Sequence, residues 1–170
     1  MYNPLTNLLN RKDSVTAYLH QIISPFGIID SAKQVIDSVT FAGRFKFSNS
    51  PAGSYYIAIK HFNSIETWSK SGGISLNTTD TAFCDFTTSL SQAYGNNLIL
   101  KGVKSCIYGG NVNGDDIIDG ADLSEADNDS FAGLTGSYLR SDVNGDSIVD
   151  AEDISLIDNN SFNDTGLVRP

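Results

Sequence analysis

Oxygen-bearing side chains recur at a regular spacing in the last third of this 170-residue chain. Residues 111–122 match residues 142–153 when the sequence is shifted along itself by 31 positions, so this part of the chain is an internal repeat. In both copies Asp or Asn stands at positions 1, 3, 5, 9 and 12, and position 7 is an isoleucine whose backbone carbonyl is a further oxygen donor. The candidate ligands are Asn111, Asn113, Asp115, Ile117, Asp119 and Asp122 in the first copy, and Asp142, Asn144, Asp146, Ile148, Asp150 and Asp153 in the second.

This spacing is typical of a loop that winds around a hard cation. Calcium takes about six to eight oxygen ligands, and a turning loop presents alternate residues toward its centre. Magnesium resists so complete a protein cage, and a single Asp- and Asn-rich stretch would more simply be a solvated surface loop. Because two such loops occur in register, the sequence predicts two bound Ca²⁺ ions.

Each loop is expected to lead into a short helix. Position 12, Asp122 or Asp153, falls in the first helical turn, where a carboxylate faces the positive end of the helix dipole. Position 8, Ile118 or Val149, is apolar and is expected to pack the two loops against each other. Both helices soon meet a run of Asp and Asn, which disfavour helix interiors. The seven loop carboxylates repel one another, which predicts that this unit folds with calcium.

Residues 107–163 resemble the dockerin domains of secreted bacterial proteins, in which a calcium loop followed by one helix occurs twice. The resemblance implies calcium at the side-chain ligands named above, a secreted or cell-surface bacterial location, and docking onto a protein partner such as a cohesin domain. The chain departs from the pattern at position 6, where Asp116 and Ser147 replace the usual glycine. It also departs at positions 10 and 11, where Gly120-Ala121 and Ala151-Glu152 stand in place of Ser-Thr.

Charge divides the chain into two parts. The net charge of −9 consists of +3 over residues 1–106 and −12 over residues 107–170. The sequence therefore predicts two domains, a β-sandwich over 1–106 and a dockerin-like calcium-binding domain over 107–170. Eleven Lys and Arg residues are too few for a nucleic-acid partner. No apolar run approaches the roughly 18 residues that span a bilayer, so membrane insertion is not expected.

Residues 1–106 show the period-2 alternation of half-buried strands. Short strands without a convincing helix predict an antiparallel, Ig-like or prealbumin-like β-sandwich, and hence a mainly β chain with a small α unit. The run from Gly43 to Ile59 has a G-x-F-x-F strand, a P-x-G turn and a Y-x-I-x-I strand, and it resembles prealbumin-like and carboxypeptidase-regulatory-like domains. Strands are predicted over 15–20, 27–36, 41–47, 55–60, 65–68, 82–86 and 97–103, with a tight connection at 48–53.

Catalytic chemistry finds little support, and we expect no enzyme. His20 and His61 fall on strand patterns with no partner at metal-ligand spacing, and no nucleophile motif surrounds a serine. Trp68, with Tyr56 and Phe62, could form an aromatic platform for a sugar, although core packing is the simpler interpretation.

Three further features bear on compartment and assembly. Cys84 and Cys106 leave open whether the protein holds two buried thiols or one disulfide. The first residues show no basic and apolar run of the signal-peptide type, and we expect no signal peptide in this chain. Pro4–Leu9 is apolar and precedes the first strand, so it is a candidate to complete an open sheet edge of another subunit.

These features together predict a non-catalytic extracellular structural module that binds two Ca²⁺ ions and attaches to other proteins. Two partners remain open, namely copies of the chain itself, which would build a filament or fibre, and a cohesin-like domain. The alternative is a carbohydrate-binding module in which calcium is structural.

Overall fold

The computed structural model describes residues 12–77, 79–163 and 165–170. As predicted, the chain is mainly β with a small α part, and its sheets are antiparallel. No helix in these described ranges is long and apolar enough to cross a membrane. The strands are β1 (Asp13–Gln21), β2 (Ile28–Ile36), β3 (Gly53–Lys60), β4 (Thr67–Trp68), β5 (Ile74–Leu76), β6 (Ile99–Lys101) and β7 (Lys104–Cys106), and the helices are α1 (Gly120–Phe131) and α2 (Ala151–Ser161).

β1 lies inside the main sheet. It pairs with β2 on one side and β3 on the other, and β3 pairs in turn with β4 and β5. Ala17 and Leu19 are buried on one face of the sheet, whereas Tyr56 and Ala58 pack with Trp68 on the other. The alternation seen in the sequence therefore buries part of both faces. β6 and β7 form a separate two-stranded ribbon.

The strand predicted over 41–47 is wrong. This segment belongs to no ladder, so the predicted tight connection at 48–53 joins no pair of strands. Phe45 is half-buried, as the alternation requires, but apolar alternation alone cannot supply the neighbouring backbone groups that a ladder needs. A side chain holds the segment instead, because the Asp30 carboxylate accepts a hydrogen bond from the Asn49 amide at 2.8 Å.

The strand predicted over 82–86 is also wrong. The Asp85 carboxylate accepts hydrogen bonds from the amide and the hydroxyl of Thr87, both at 2.8 Å, and such local bonds favour a turn. The strands predicted near β4 and β6 form over shorter ranges. Both cysteines are free thiols, and burial raises the pKa of Cys84 to about 12.

Tyr56, Ala58 and Trp68 form one core cluster, and a second core cluster contains residues from both halves of the chain. Val112, Ile118, Ala126 and Ile157 pack with the fully buried Ile65, which comes from the segment just before β4. Burying such a side chain stabilises a fold by about 2 kcal/mol, so this contact is a substantial link between the halves.

The C-terminal segment adds further contacts between the halves. Leu167 packs against both core clusters, and the Gly166 carbonyl accepts a hydrogen bond from the Asn97 side chain at 2.9 Å. The regions predicted as separate domains, 1–106 and 107–170, therefore share buried contacts. The boundary between them stays a prediction.

Candidate metal centre

Loop 1, residues 111–122, is wound by hydrogen bonds from its backbone amides to its own side chains. Bonds of this kind curl the chain so that alternate side chains turn toward the loop interior. The structure thus brings the predicted ligands of the first copy onto one turning segment. The amide of Gly114 donates to Asn111 Oδ1 (2.9 Å), that of Asp115 to Asn113 Oδ1 (2.9 Å), that of Ile117 to Asp115 Oδ1 (3.0 Å) and that of Ala121 to Asp119 Oδ1 (2.7 Å).

Loop 2, residues 142–153, repeats this pattern at every equivalent position. The position-1 carboxylate of Asp142 accepts an additional bond from the position-6 amide of Ser147, at 2.9 Å. The predicted ligands of the second copy therefore also share one turning segment. The amide of Gly145 donates to Asp142 Oδ1 (2.8 Å), that of Asp146 to Asn144 Oδ1 (2.8 Å), that of Ile148 to Asp146 Oδ1 (2.9 Å) and that of Glu152 to Asp150 Oδ1 (2.8 Å).

Both loops turn at position 6 with a left-handed backbone. Asp116 has φ 67° and Ser147 has φ 76°, a region in which glycine is the least strained residue. Loop 1 gains a compensating contact there, because the Asp116 carboxylate forms an ion pair with Lys60 of β3 at 2.7 Å. The departure from glycine noted in the sequence is therefore accommodated without changing the course of the loop.

The position-12 carboxylates connect the start of each loop to the start of the following helix. Asp122 is fully buried and accepts bonds from Val112 N (2.7 Å), Asn113 N (3.1 Å) and Asp119 N (3.0 Å). Asp153 is equally buried and accepts from the equivalent amides at 2.7, 2.9 and 3.1 Å. In each helix the position-9 residue is the N-cap and forms a reciprocal capping box with position 12.

Several loop oxygens accept no hydrogen bond from any described residue. The position-7 carbonyls of Ile117 and Ile148 are among them, although the carbonyls of the preceding Asp116 and Ser147 are both paired. These free oxygens stand at positions where the sequence predicts ligands. The same holds for the second carboxylate oxygens of Asp119, Asp146 and Asp150.

Among the described residues, no Lys or Arg forms an ion pair with a carboxylate that the sequence predicts as a ligand. In the described ranges Lys60 forms an ion pair with Asp116, and His61 Nε2 lies 2.6 Å from Asp13 Oδ2. Neither contact involves a predicted ligand. Burial raises the pKa of Asp142, and it also raises the pKa of Asp153, because low-dielectric surroundings disfavour the ionised form. A bound divalent cation reverses this effect by favouring the ionised form.

The donor chemistry fits calcium. In residues 12–77, 79–163 and 165–170, no three His, Cys, Asp or Glu side chains are already gathered as a metal cluster, because the loop carboxylates are turned onto backbone amides. Each loop nevertheless presents oxygen donors at positions 1, 3, 5, 7, 9 and 12, as a hard cation requires. The residues that would hold the ions are the twelve named from the sequence.

The position-8 residues are buried, with Ile118 1% and Val149 3% exposed. Their backbones, however, bond to other segments rather than to each other. The Ile118 amide donates to the Thr165 carbonyl at 2.8 Å, and the Val149 amide donates to the Leu134 carbonyl at 3.0 Å. A different stretch of chain therefore completes each loop.

One residue outside the repeat, Asn63, holds the start of both loops. Its carbonyl accepts from Gly110 N (2.9 Å) and Asn111 N (3.2 Å). Its side-chain amide donates to the carbonyls of Arg140 (3.1 Å) and Asp142 (3.2 Å). Sequence reasoning missed Asn63, because a single Asn placed 77 and 79 residues from these partners carries no local signal.

Each helix is also tied to the segment before the opposite loop. In α1 the Asp129 carboxylate accepts a hydrogen bond from the Ser141 hydroxyl, just before loop 2. In α2, at the equivalent position, the Asn160 side chain donates to the Gly109 carbonyl at 2.8 Å, just before loop 1. These long-range bonds explain why both helices continue through Asp- and Asn-rich sequence that disfavours a helix interior.

Trp68 is a core residue. It is 2% exposed, its ring centroid lies 4.1 Å from that of His20 and 5.9 Å from that of Tyr56, and its Nε1 donates to the Glu66 carboxylate at 2.7 Å. Its ring therefore offers no open face on which a sugar could stack. The carbohydrate-binding hypothesis gains no support from this residue.

Comparisons with protein-family models, with curated proteins and with solved structures found no match to this chain. The functional argument therefore depends on the geometry and charge of the two loops.

Proposed function

We propose that this chain is a non-catalytic extracellular structural module that binds two Ca²⁺ ions and attaches to other protein chains. The observation that carries the proposal is the repetition of one loop geometry. The same amide-to-side-chain bonds, a buried position-12 carboxylate and a free position-7 carbonyl occur in both loops. A solvated Asp-rich surface loop requires none of these features.

Calcium supplies the positive charge that offsets the seven loop carboxylates. The chain itself prepares the two sites. Asn63 positions both loop starts, and the capping boxes hold Asp122 and Asp153 at the helix starts. Because each helix begins at the position-9 ligand, binding of calcium is coupled to the placement of α1 and α2.

The ends of the two helices support attachment to another protein. Phe131 and Phe162 occupy equivalent positions and are 95% and 88% exposed. Exposed aromatic side chains are enriched in protein–protein interfaces, and here the repeat presents one twice. The partner is a second copy of the chain or a cohesin-like domain.

The finer fold assignment is part of the same proposal. The main sheet is one layer of a prealbumin-like sandwich, and the loop–helix repeat is a dockerin-like unit. The sandwich is supported by the segment that follows β2, which contacts Ile36. Ile36 is paired with Asp13 and so shares the sheet face of Ala17 and Leu19. A Cβ added to Gly43 of that segment would lie 2.6 Å from Ile36 Cδ1 and 3.1 Å from Phe45 Cε2.

Thermal denaturation with and without calcium tests the proposal. At free calcium about 100 times the dissociation constant, each site adds about 2.7 kcal/mol to the free energy of unfolding. We expect a clear rise of the melting temperature in calcium, a smaller one in magnesium at equal ionic strength, and none in EDTA. An identical melting temperature in calcium and in EDTA would contradict the proposal.

A further inference from the structure

An open cleft is lined by the main sheet and by the segment that joins α1 to loop 2. Its volume is about 180 Å³. Thr16 of β1 is paired with Lys33 of β2 on one side and with Lys60 of β3 on the other, so these three side chains point to the same face of the sheet. Tyr138 and Arg140, from the segment before loop 2, line the same cleft. We call this site the basic cleft.

The basic cleft concentrates positive charge in an acidic chain. Three of the chain's eleven Lys and Arg residues line it, and within the described ranges none of its twenty Asp and Glu residues does. The two carboxylates that contact lining residues are already engaged. Asp116 pairs with Lys60 at 2.7 Å, and Asp13 lies 2.6 Å from His61 Nε2. The side chains that face the cleft therefore attract an anion.

Several donors in the basic cleft are available to a ligand. Arg140 Nη1 donates to the Val112 carbonyl at 2.9 Å, which fixes the guanidinium and leaves its other N–H groups without an acceptor in the described part of the chain. The Lys33 ammonium and the hydroxyls of Ser14 and Thr16 likewise donate to no described residue. Charged and hydroxyl donors held in one cleft are the groups that bind an oxyanion.

Aromatic rings form part of the lining. The ring centroids of Phe62 and Tyr138 lie 5.8 Å apart. Tyr138 has φ 62°, a left-handed backbone that is uncommon for an aromatic residue. Strained backbone of this kind clusters at ligand-binding sites, and here it occurs at a residue that lines the cleft. The rings also offer an apolar surface beside the cationic groups.

We infer that the basic cleft binds an acidic side chain of the protein to which this module attaches, an inference that rests on the attachment part of the proposed function. A carboxylate can accept hydrogen bonds from Lys33, Arg140 and the Thr16 hydroxyl, and its methylene groups pack against the aromatic rings. The other candidate contact with a partner, the segment Pro4–Leu9, lies outside the described residues.

The size of the basic cleft favours a projecting side chain over a free small molecule. Pockets that enclose a whole small ligand measure roughly 300–1,000 Å³, and this cleft is smaller and open. Inorganic phosphate shares the oxyanion chemistry, but it has no methylene groups to use the rings of Phe62 and Tyr138. A Glu or Asp side chain of a larger molecule uses both parts of the lining.

A pair of capped tetrapeptides tests this inference on the full chain in saturating calcium. Gly-Glu-Glu-Gly carries the predicted group, and Gly-Gln-Gln-Gly has the same shape without charge. We expect the Glu peptide alone to shift the backbone amide signals of Thr16, Lys33 and Phe62 in nuclear magnetic resonance titrations. Raising the salt concentration should weaken this binding, because ions screen exposed charges.

Two variants locate the binding in the cleft. Lys33→Gln removes one exposed cation and should weaken binding of the Glu peptide by about fivefold. Thr16→Val keeps the branched shape and removes the hydroxyl, which should weaken it by about threefold. Lys101→Gln, an equal loss of charge on the exposed ribbon of β6 and β7, is the matched control and should bind like the wild type.

Equal binding of the Glu peptide by the wild type and by Lys33→Gln would overturn the inference. So would an equal loss in Lys33→Gln and Lys101→Gln, which would reduce the effect to net charge, and so would binding of inorganic phosphate without binding of the Glu peptide. A calcium-dependent melting temperature with no peptide binding overturns this inference alone. Peptide binding by a chain that melts alike in calcium and in EDTA supports it and contradicts the calcium proposal.

Discussion

Loop 1 and loop 2 have the same internal bonds but differ in what surrounds them. Loop 1 is tied to the sheet half of the molecule, since Lys60 pairs with Asp116 and the Asn111 side chain reaches the Ser64 carbonyl at 3.5 Å. In loop 2 the residue equivalent to Asn111 is Asp142, whose carboxylate accepts amides of its own loop. Loop 1 therefore adds side-chain contacts with the sheet half to its local bonds, whereas the position-1 side chain of loop 2 bonds within its own loop.

The two loops also differ in the number of carboxylates among their predicted ligands. Loop 1 has three carboxylates among its predicted ligands and loop 2 has four, because position 1 is Asn111 in loop 1 and Asp142 in loop 2. Higher ligand charge strengthens calcium binding, but without the ion it adds repulsion and burial cost. Loop 2 is expected to bind calcium more tightly and to lose more order when calcium is removed.

The largest effect is expected from Ile65→Ala. Ile65 is fully buried in the cluster that includes Ile118 of loop 1, and truncating such a residue costs about 2–5 kcal/mol. We expect this loss in urea denaturation and a weaker loop-1 site in isothermal titration calorimetry. Leu19→Ala, equally buried but in the main sheet, is the control, and it should lower stability without changing calcium affinity. Unchanged calcium binding in Ile65→Ala would show that loop 1 is independent of the sheet half.

The next effect is expected from Asn63→Ala, which removes donors to both loops. The change removes the donor to the buried carbonyl of Asp142 and to the part-buried carbonyl of Arg140, at a cost of about 2 kcal/mol. Both calcium sites should weaken together. Asn159→Ala, an exposed helical asparagine whose side chain donates to its own helix, is the matched control. If only one site weakens, Asn63 does not join the two loops energetically.

Exchanging the position-1 residues tests the difference in charge. Asp142→Asn should lower the calcium affinity of loop 2 by about tenfold, or about 1.4 kcal/mol, and Asn111→Asp should raise that of loop 1 similarly. In EDTA, Asp142→Asn should stabilise the protein, because it removes a buried charge whose pKa burial has raised. Calorimetry of the double exchange would show reversed site affinities. If loop 2 still bound calcium more tightly than loop 1 in the double exchange, tertiary contacts would outweigh ligand charge in setting the affinities.

The smallest effect is expected from pH in calcium-free protein. Burial raises the pKa of Asp142 and Asp153 above the usual 3.8, so the stability that they contribute is full below 3.8 and is lost as pH rises through the raised values. In the sheet half, backbone amides lower the pKa of Asp30 and Asp37, so their contribution is present above 3.8 and lost as pH falls through the lowered values. Helical circular dichroism and Trp68 fluorescence should thus respond to acid with opposite signs. A common sign would contradict this division.

The loops were the most predictable part of the molecule. Every bond that winds them joins residues within about ten positions of each other, so their spacing in the sequence already contains the geometry. The helix starts at Asp119 and Asp150 follow for the same reason, because an N-cap and its reciprocal partner at position 12 are local.

The sheet half was predicted less well. β1, β2 and β3 follow from alternation, but the equally regular 41–47 forms no ladder because no neighbouring strand pairs with it. Period-2 alternation reports which face of a segment is buried, and it cannot report whether a partner strand is present. The strand predicted at 82–86 fails because local bonds to Asp85 favour a turn.

The repeat, the candidate oxygen donors of each loop and the helices that follow could be predicted from residue spacing, because they depend on short-range interactions. The surroundings of the loops became apparent only in the folded structure. It placed Asn63 between the loop starts, Ile65 in the shared core, and different partners against Ile118 and Val149. These contacts join residues far apart in the chain, and the burial that selects them exists only after the chain has folded.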